Sequence, residues 1–270
     1  MERQFRLGIF PKTRHPMLSQ QHTSQITIST PDLEASLQHY AKLGFRLVGK
    51  SQSPNPWAYI TDESLLLLLS QDDQNFFGLT YFLPDVDALL KQLWGREISP
   101  AAKQEDERGT RFALLLSPDD FGIALVRHTG EGIFQPSGPT LKTFPPEEMG
   151  NPKKYPNAQL GIFGEFCHAV VDLERSKSWW EKLGFESLSV NASPYPWGIL
   201  ALGQHIIGLH QTKDFDRPAL TYFAKDSGMK AEALRAKVGT QVREFAGTGG
   251  DANNVVISSP EGQQVFLFSF

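Results

Sequence analysis

The chain is poor in the residues that most often announce a chemistry. Its 270 residues hold one cysteine, Cys167, which excludes an internal disulfide and any cysteine-cluster metal site. It has no run of basic residues and a formal charge of −4, which argues against a nucleic-acid surface. Its longest pure leucine run, Leu65–Leu69, is five residues, against the ~20 that a membrane-spanning helix needs. The opening MERQFRLGIFPKTRHPM has no apolar stretch of the kind a secretion signal carries. No glycine-rich phosphate loop, nucleophile elbow or HExxH is present. The expectation is a soluble, cytoplasmic protein whose partner is a small molecule, not nucleic acid or membrane. The oligomeric state stays open.

What the chain does have is a repeat. SPNPWAYI at Ser53–Ile60 returns as SPYPWGIL at Ser193–Leu200, 140 positions on. Asp32-Leu33-Glu34 returns as Asp172-Leu173-Glu174, and Leu43-Gly44-Phe45 as Leu183-Gly184-Phe185. Leu79-Thr80-Tyr81-Phe82 matches Leu220-Thr221-Tyr222-Phe223, and Ser117-Pro118-Asp119 matches Ser259-Pro260-Glu261. The order is kept while the offset drifts only from 140 to 142, so the chain reads as two homologous halves. The division is an N-terminal arm at 1–21, a first half at 22–130, a Pro/Gly-rich linker at 131–160 and a second half at 161–270. The linker reads as extended and superficial. Leu7-Gly8-Ile9-Phe10 recurs as Leu160-Gly161-Ile162-Phe163, a match short enough for chance.

Each half divides again. Gln25–Ser29 alternates polar and apolar, as a half-buried strand does. Thr30-Pro31-Asp32 then opens a helix, with Thr30 as N-cap and Pro31 at its first position. Leu33, Leu37 and Tyr40 form its apolar face, and Gly44 ends it with a left-handed cap. Strand-like runs follow at Phe45–Gly49, Trp57–Ile60 and Leu65–Leu69. The order β-α-β-β-β then recurs: a strand at Leu79–Leu83, a helix from Asp85 through Leu93, and strands near Glu97–Ser99, Phe112–Leu116 and Ile123–Arg127. The second half repeats it, with helices at Asp172–Leu183 and Ser227–Val238.

Four βαβββ units, the first opened by DLExSxxxYxxLGF at Asp32–Phe45 and the third by the matching Asp-Leu-Glu and Leu-Gly-Phe, with a Ser-Pro-Asp/Glu turn before the last strand of each half, resemble the vicinal oxygen chelate superfamily. That group includes glyoxalase I, extradiol dioxygenases, and bleomycin- and fosfomycin-resistance proteins. The resemblance covers both halves and implies an α+β fold. Units pair into two glyoxalase-like domains, each a curled mixed sheet of about eight strands that forms a cup with helices outside. It also implies addresses for metal ligands, which a divalent ion needs in numbers. One lies in the first strand of each unit, seven residues before the helix-opening Asp; the other lies in the last strand. In the first half these fall on Gln25, Leu67, Gly78 and Ala124. In the second half they fall on Glu165, on Gly208 with His210 two residues further, on Ala219 and on Phe266. At most Glu165 and His210 can ligate, or His168 if the first strand is slipped by one residue. The metal is the Lewis acid of this superfamily's enzymes, so its loss implies a metal-independent protein without a cofactor that binds a small hydrophobic or planar molecule. A divalent metal is disfavoured. The alternative is a lyase, isomerase or dioxygenase of the same superfamily with an atypical site, in which Glu165 and His210 are catalytic.

Strand alternation places Gln25, Thr27, Ser29, Thr80, Phe82, Ala124 and Val126 in the first cup. It places Glu165, Cys167, Ala169, Thr221, Phe223, Phe266 and Phe268 in the second. Of these, Gln25, Thr27, Thr80, Phe82, Thr221, Phe223 and Phe266 are ligand-binding candidates, unless the phenylalanines fill their own cup and leave the first one roomier. Trp57 and Trp197 begin rim strands behind a PxP lead-in. They suit stacking on a flat ligand, or closing the end of the sheet. Tyr81 and Tyr222 face the helices and read as core. Cys167 reads as a small buried hydrophobe. His15, His22, His39 and His128 have no partners in the pattern.

Overall fold

The computed structural model describes residues 17–19, 21–247 and 253–270. Most of the arm, with its Leu-Gly-Ile-Phe and His15, lies outside the described residues. The first half runs β1 (Ser24–Thr30), α1 (Leu33–Lys42), β2 (Arg46–Ser51), β3 (Trp57–Thr61), β4 (Leu66–Gln71), β5 (Phe77–Leu83), α2 (Val86–Trp94), β6 (Ala102–Asp106), β7 (Gly109–Leu116) and β8 (Gly122–Arg127). The second half runs β9 (Ile162–Ala169), α3 (Leu173–Leu183), β10 (Glu186–Asn191), β11 (Trp197–Leu202), β12 (His205–His210), β13 (Ala219–Phe223), α4 (Ser227–Val238), β14 (Val242–Glu244), β15 (Val255–Ser258) and β16 (Gln264–Phe268). No helix among the described residues is long and apolar enough to cross a membrane.

Each half forms one eight-stranded mixed sheet. The first has the order β2-β3-β4-β1-β5-β8-β7-β6, and the second repeats it strand for strand. In each, the first strands of two units pair antiparallel, β1 with β5 and β9 with β13. Each of these is flanked by a parallel last strand. The period-2 pattern then sorts the side chains. Ile26 and Ile28 turn to the helix side and are buried, while Gln25, Thr27 and Ser29 take the cup side.

Three helices start as an Asp-capped helix should. Asp32, Asp85 and Asp172 each accept a backbone N–H three residues on, at 3.0 Å. Thr30 is therefore not the N-cap, and Pro31 precedes the helix. Proline holds the residue before it extended, so Thr30 stays in the strand, and its buried hydroxyl bonds Ser36 at 2.7 Å. Gly44 and Gly184 follow their helices at φ 94° and 109°, the left-handed ends that glycine accepts. The strand expected near Glu97–Ser99 is absent. Ile98 N–H returns to Leu93 O at 3.0 Å to close α2, and pairing resumes at Ala102. The linker is not merely superficial. Phe144, Tyr155 and Leu160 are buried in the core, and Asn157 is buried with them, because its few apolar side chains have a groove to fill.

The helix-covered faces of the two sheets share one apolar cluster. Phe166 of β9 packs on Phe77 and Phe121 of the first half, with ring centroids 4.7 and 5.0 Å apart. Phe121 also meets Trp180 of α3 at 5.4 Å. The Ser-Pro-Asp/Glu turns lock the halves reciprocally. Glu261 accepts the Ser36 hydroxyl at 2.8 Å and the Tyr40 hydroxyl at 3.0 Å. Asp119 accepts the hydroxyl of Ser176, the counterpart of Ser36 140 positions on, and the Val171 N–H at 2.9 Å.

Candidate functional site

Alternation along β9 sends Phe166 and His168 to the core and Glu165, Cys167 and Ala169 into the second cup. His168 packs on Phe121 at 4.8 Å and is fully buried, so the first strand is not slipped. On the neighbouring β12, Ile207 and Leu209 enter the core while Gly208 and His210 face the cup. Gly208 pairs with Cys167 just as Leu68 pairs with Thr27. The last-strand address of the first unit is thus Leu68, not Leu67, which is buried in the shared core. One residue of register moves a side chain to the other face.

The Glu165 carboxylate lies over Gly208, where a Cβ would stand 2.2 Å from Oε2. From there Oε1 meets His210 Nε2 at 2.9 Å. His210 Nδ1 meets the Tyr195 hydroxyl at 3.3 Å. An ionised carboxylate accepts only, so Nε2 carries the proton and Nδ1 accepts from Tyr195. Burial pushes the Tyr195 phenol up to about 12, which keeps it protonated for that role. Trp197 lies parallel to the imidazole, 13° between planes and 6.3 Å between centroids, and Phe215 meets it edge-on at 5.8 Å. A carboxylate and a hydroxyl therefore hold the two ring nitrogens, while Trp197 and Phe215 hold the plane of the ring.

Beside this chain of hydrogen bonds is a cavity of about 520 Å³. Glu165, His210, Tyr195 and Trp197 line it, together with the apolar Ile199, Phe223 and Phe268. Leu141 and Lys142 of the linker complete it. Phe266 points elsewhere: it stacks on Phe268 at 5.5 Å and packs on Phe215 and Phe245 at 5.3 Å each, filling the fourth-unit side of the cup. Thr221 donates to Cys167 Sγ at 3.3 Å. Burial, then the Glu165 carboxylate, push the Cys167 thiol well up, so it is a neutral thiol and no nucleophile.

The first cup has the same frame and different chemistry. Gln25 stands where Glu165 does, Thr27 where Cys167 does and Ser70 where His210 does. Gln25 Nε2 donates to Thr27 at 3.3 Å, and Thr27 bonds Thr80 at 2.8 Å. Trp57 packs on Tyr59 at 5.0 Å, and Phe82 on His128 at 5.7 Å. Of the candidates, the fold brings together Glu165, His210, Trp197 and Phe223 around one cavity. Gln25, Thr27, Thr80, Phe82 and Trp57 sit in the other half, and Thr221 and Phe266 sit outside the cavity lining.

In the second half, the addresses that the resemblance implied for a metal hold a donor only at Glu165, and in the first half only the Gln25 amide. Gly208, Ala219 and Phe266 offer none, so that ligand set does not fit an ion. Glu165, Cys167 and His210 do have donor atoms within 4.8 Å of one another. Both His210 nitrogens, however, are engaged by Glu165 and Tyr195.

Tyr195, Ile199, Leu141 and Lys142 were not anticipated. The signal for Tyr195 is inside the repeat: SPNPW and SPYPW differ at Asn55 and Tyr195, the position that meets His210. In both copies the Ser-Pro bond is cis.

Paired βαβββ units with outward cups define the vicinal oxygen chelate fold, and solved structures carry the same likeness. A point mutant of homoprotocatechuate 2,3-dioxygenase from Brevibacterium fuscum aligns over 96% of this chain and 74% of its own, with TM-score 0.60 and 14% identity. The enzyme of that name from Arthrobacter globiformis aligns over 92% and 79%, with TM-score 0.55 and 13% identity. An extradiol ring-cleaving dioxygenase from B. fuscum aligns over 96% and 74%, with TM-score 0.58 and 12% identity. No protein-family model matches the chain, and no curated protein matches it in sequence. At these identities the likeness is one of fold.

Proposed function

We propose that the second half binds a small, flat, largely apolar organic molecule, with one polar group of that ligand on His210, Tyr195 or Glu165. The observation behind it is the cavity of about 520 Å³ lined mostly by apolar and aromatic side chains, with Glu165, Tyr195 and His210 among them, the usual composition of a small-molecule site. A ring is also what the extradiol ring-cleaving neighbour acts on, by its name. Binding in this reading needs no metal. Calorimetric titration with phenols, catechols and quinones tests it. Saturable binding that Trp197→Ala weakens at least tenfold is expected; affinity indifferent to Trp197 and Phe223 would sink it.

The Glu165–His210 contact favours a second reading, a metal-independent lyase or isomerase. The Tyr195 hydroxyl would take a proton from the ligand as it passes its own to His210 Nδ1, and Glu165 on Nε2 would stabilise the imidazolium that forms. Turnover of a bound ligand should then fall by roughly 10²–10⁴ in Glu165→Gln, while binding persists. Unchanged turnover removes this reading and leaves the binding one standing.

A further inference from the structure

A second cavity, of about 370 Å³, lies between the halves. Ser24, Leu66 and Tyr81 of the first half and Phe166, Leu202 and His205 of the second are among its walls. Its origin is a broken symmetry. Tyr81 and Tyr222 each follow the threonine that pairs with Gln25 or Glu165. Tyr222 reaches the β3–β4 turn of the opposite half and donates to Asp62 at 2.6 Å. Asp62 is further held by the Ser64 and Leu65 N–H groups, at 3.0 and 3.1 Å, and by Asn157.

Tyr81 is beside the corresponding β11–β12 turn, but Asp62's counterpart there, 140 positions on, is Leu202. Asn157's counterpart is Met17. Both the acceptor and the amide that donates to it are gone, and the buried Tyr81 hydroxyl has no hydrogen-bond partner. Such a group is costly to leave unpaired. The other polar groups have partners. His205 Nε2 bonds Ser24 at 2.6 Å, Ser64 donates to Pro139 O at 2.8 Å, and Gln204 donates to Pro136 O at 2.8 Å. No Asp, Glu, Lys or Arg is among the described lining residues.

We propose that this inter-half cavity is a second binding site, for an uncharged organic molecule whose hydroxyl or carbonyl pairs with the Tyr81 hydroxyl. An ion would find no counter-charge there, and His205, pushed down to about 4 by burial, stays neutral. The volume is within the ~300–1,000 Å³ of small-molecule pockets. Of the second cup's lining this cavity shares only Ile206, so the two sites lie against one strand, β12, and are distinct.

Crystals of the full chain soaked in phenol test this, with titration of the same probe in solution. Expected is phenol in the inter-half cavity with its oxygen roughly 2.7–2.8 Å from the Tyr81 oxygen. Tyr81→Phe should weaken binding at this site roughly 3- to 10-fold, and Leu202→Trp, which fills the space, should abolish it. Ordered water alone beside Tyr81, or phenol confined to the second cup, would overturn the proposal. So would an affinity at this site that neither variant changes.

Discussion

A methyl group at Gly208 would stand 2.2 Å from Glu165 Oε2 and 2.4 Å from its Cδ, so glycine here makes room for a carboxylate. Gly208→Ala should push Glu165 off His210 and leave an imidazole N–H unpaired in a half-buried setting, costing about 1–3 kcal/mol. Thermal unfolding reads the cost. The ¹⁵N chemical shifts of the His210 ring should move from one fixed tautomer to a mixture, and an unmoved spectrum would mean that Glu165 does not hold the ring. The same three donors frame the metal question. With both His210 nitrogens engaged by protein groups, elemental analysis of chelator-free protein should find far less than one equivalent of transition metal. About one equivalent would assign Glu165, Cys167 and His210 to it.

At the scale of elements, the two Ser-Pro-Asp/Glu turns do one job twice. Each carboxylate leaves its own half to accept a hydroxyl from the opposite helix. Glu261→Ala should cost about 1.5–3 kcal/mol, because the carboxylate's bonds from Ser36 and Tyr40 are both lost. Ser36→Ala should cost less, since Tyr40 still donates to Glu261. The double variant should fall short of the sum, and strict additivity in the cycle would deny the coupling. Much of this architecture was legible in the chain, since a duplicated pattern of Asp, Gly and alternating apolar residues specifies helix starts, helix ends and strand faces locally. Glu165 and His210 were legible because the family resemblance implied addresses at Glu165 and Gly208, and strand alternation puts His210 on the face of Gly208. The Thr30 cap and the strand near Glu97 were misread, because local signals there compete and packing decides. Tyr195, the Asp62–Tyr222 contact and the Tyr81 cavity depend on which loop of one half meets which strand of the other. No local period encodes that.

For the whole molecule, the shared core determines what acid does. Between the halves His168 is buried against Phe121 and His205 is partly buried on Ser24, and desolvation pushes each down to about 4. Burial lowers His39 and His22 as well. A histidine whose folded pKa lies below its unfolded value binds its proton more readily when unfolded. Its stabilisation is therefore complete above about 6.5 and is lost as pH falls through about 4. Two such groups amount to on the order of 3 kcal/mol each at most. Asp62 acts in the opposite sense: burial raises its carboxyl despite the Tyr222 bond, so protonation there favours the fold and flattens the loss at the acid end. Calorimetry from pH 7.5 to 4.5 should show the midpoint falling steadily. His205→Gln, which can still donate to Ser24, should remove part of that slope. Because both histidines sit where the sheets share their apolar cluster, the halves should unfold in one transition at each pH. Two separate transitions, or a midpoint constant over that range, would mean that the interface between the halves is not what acid attacks.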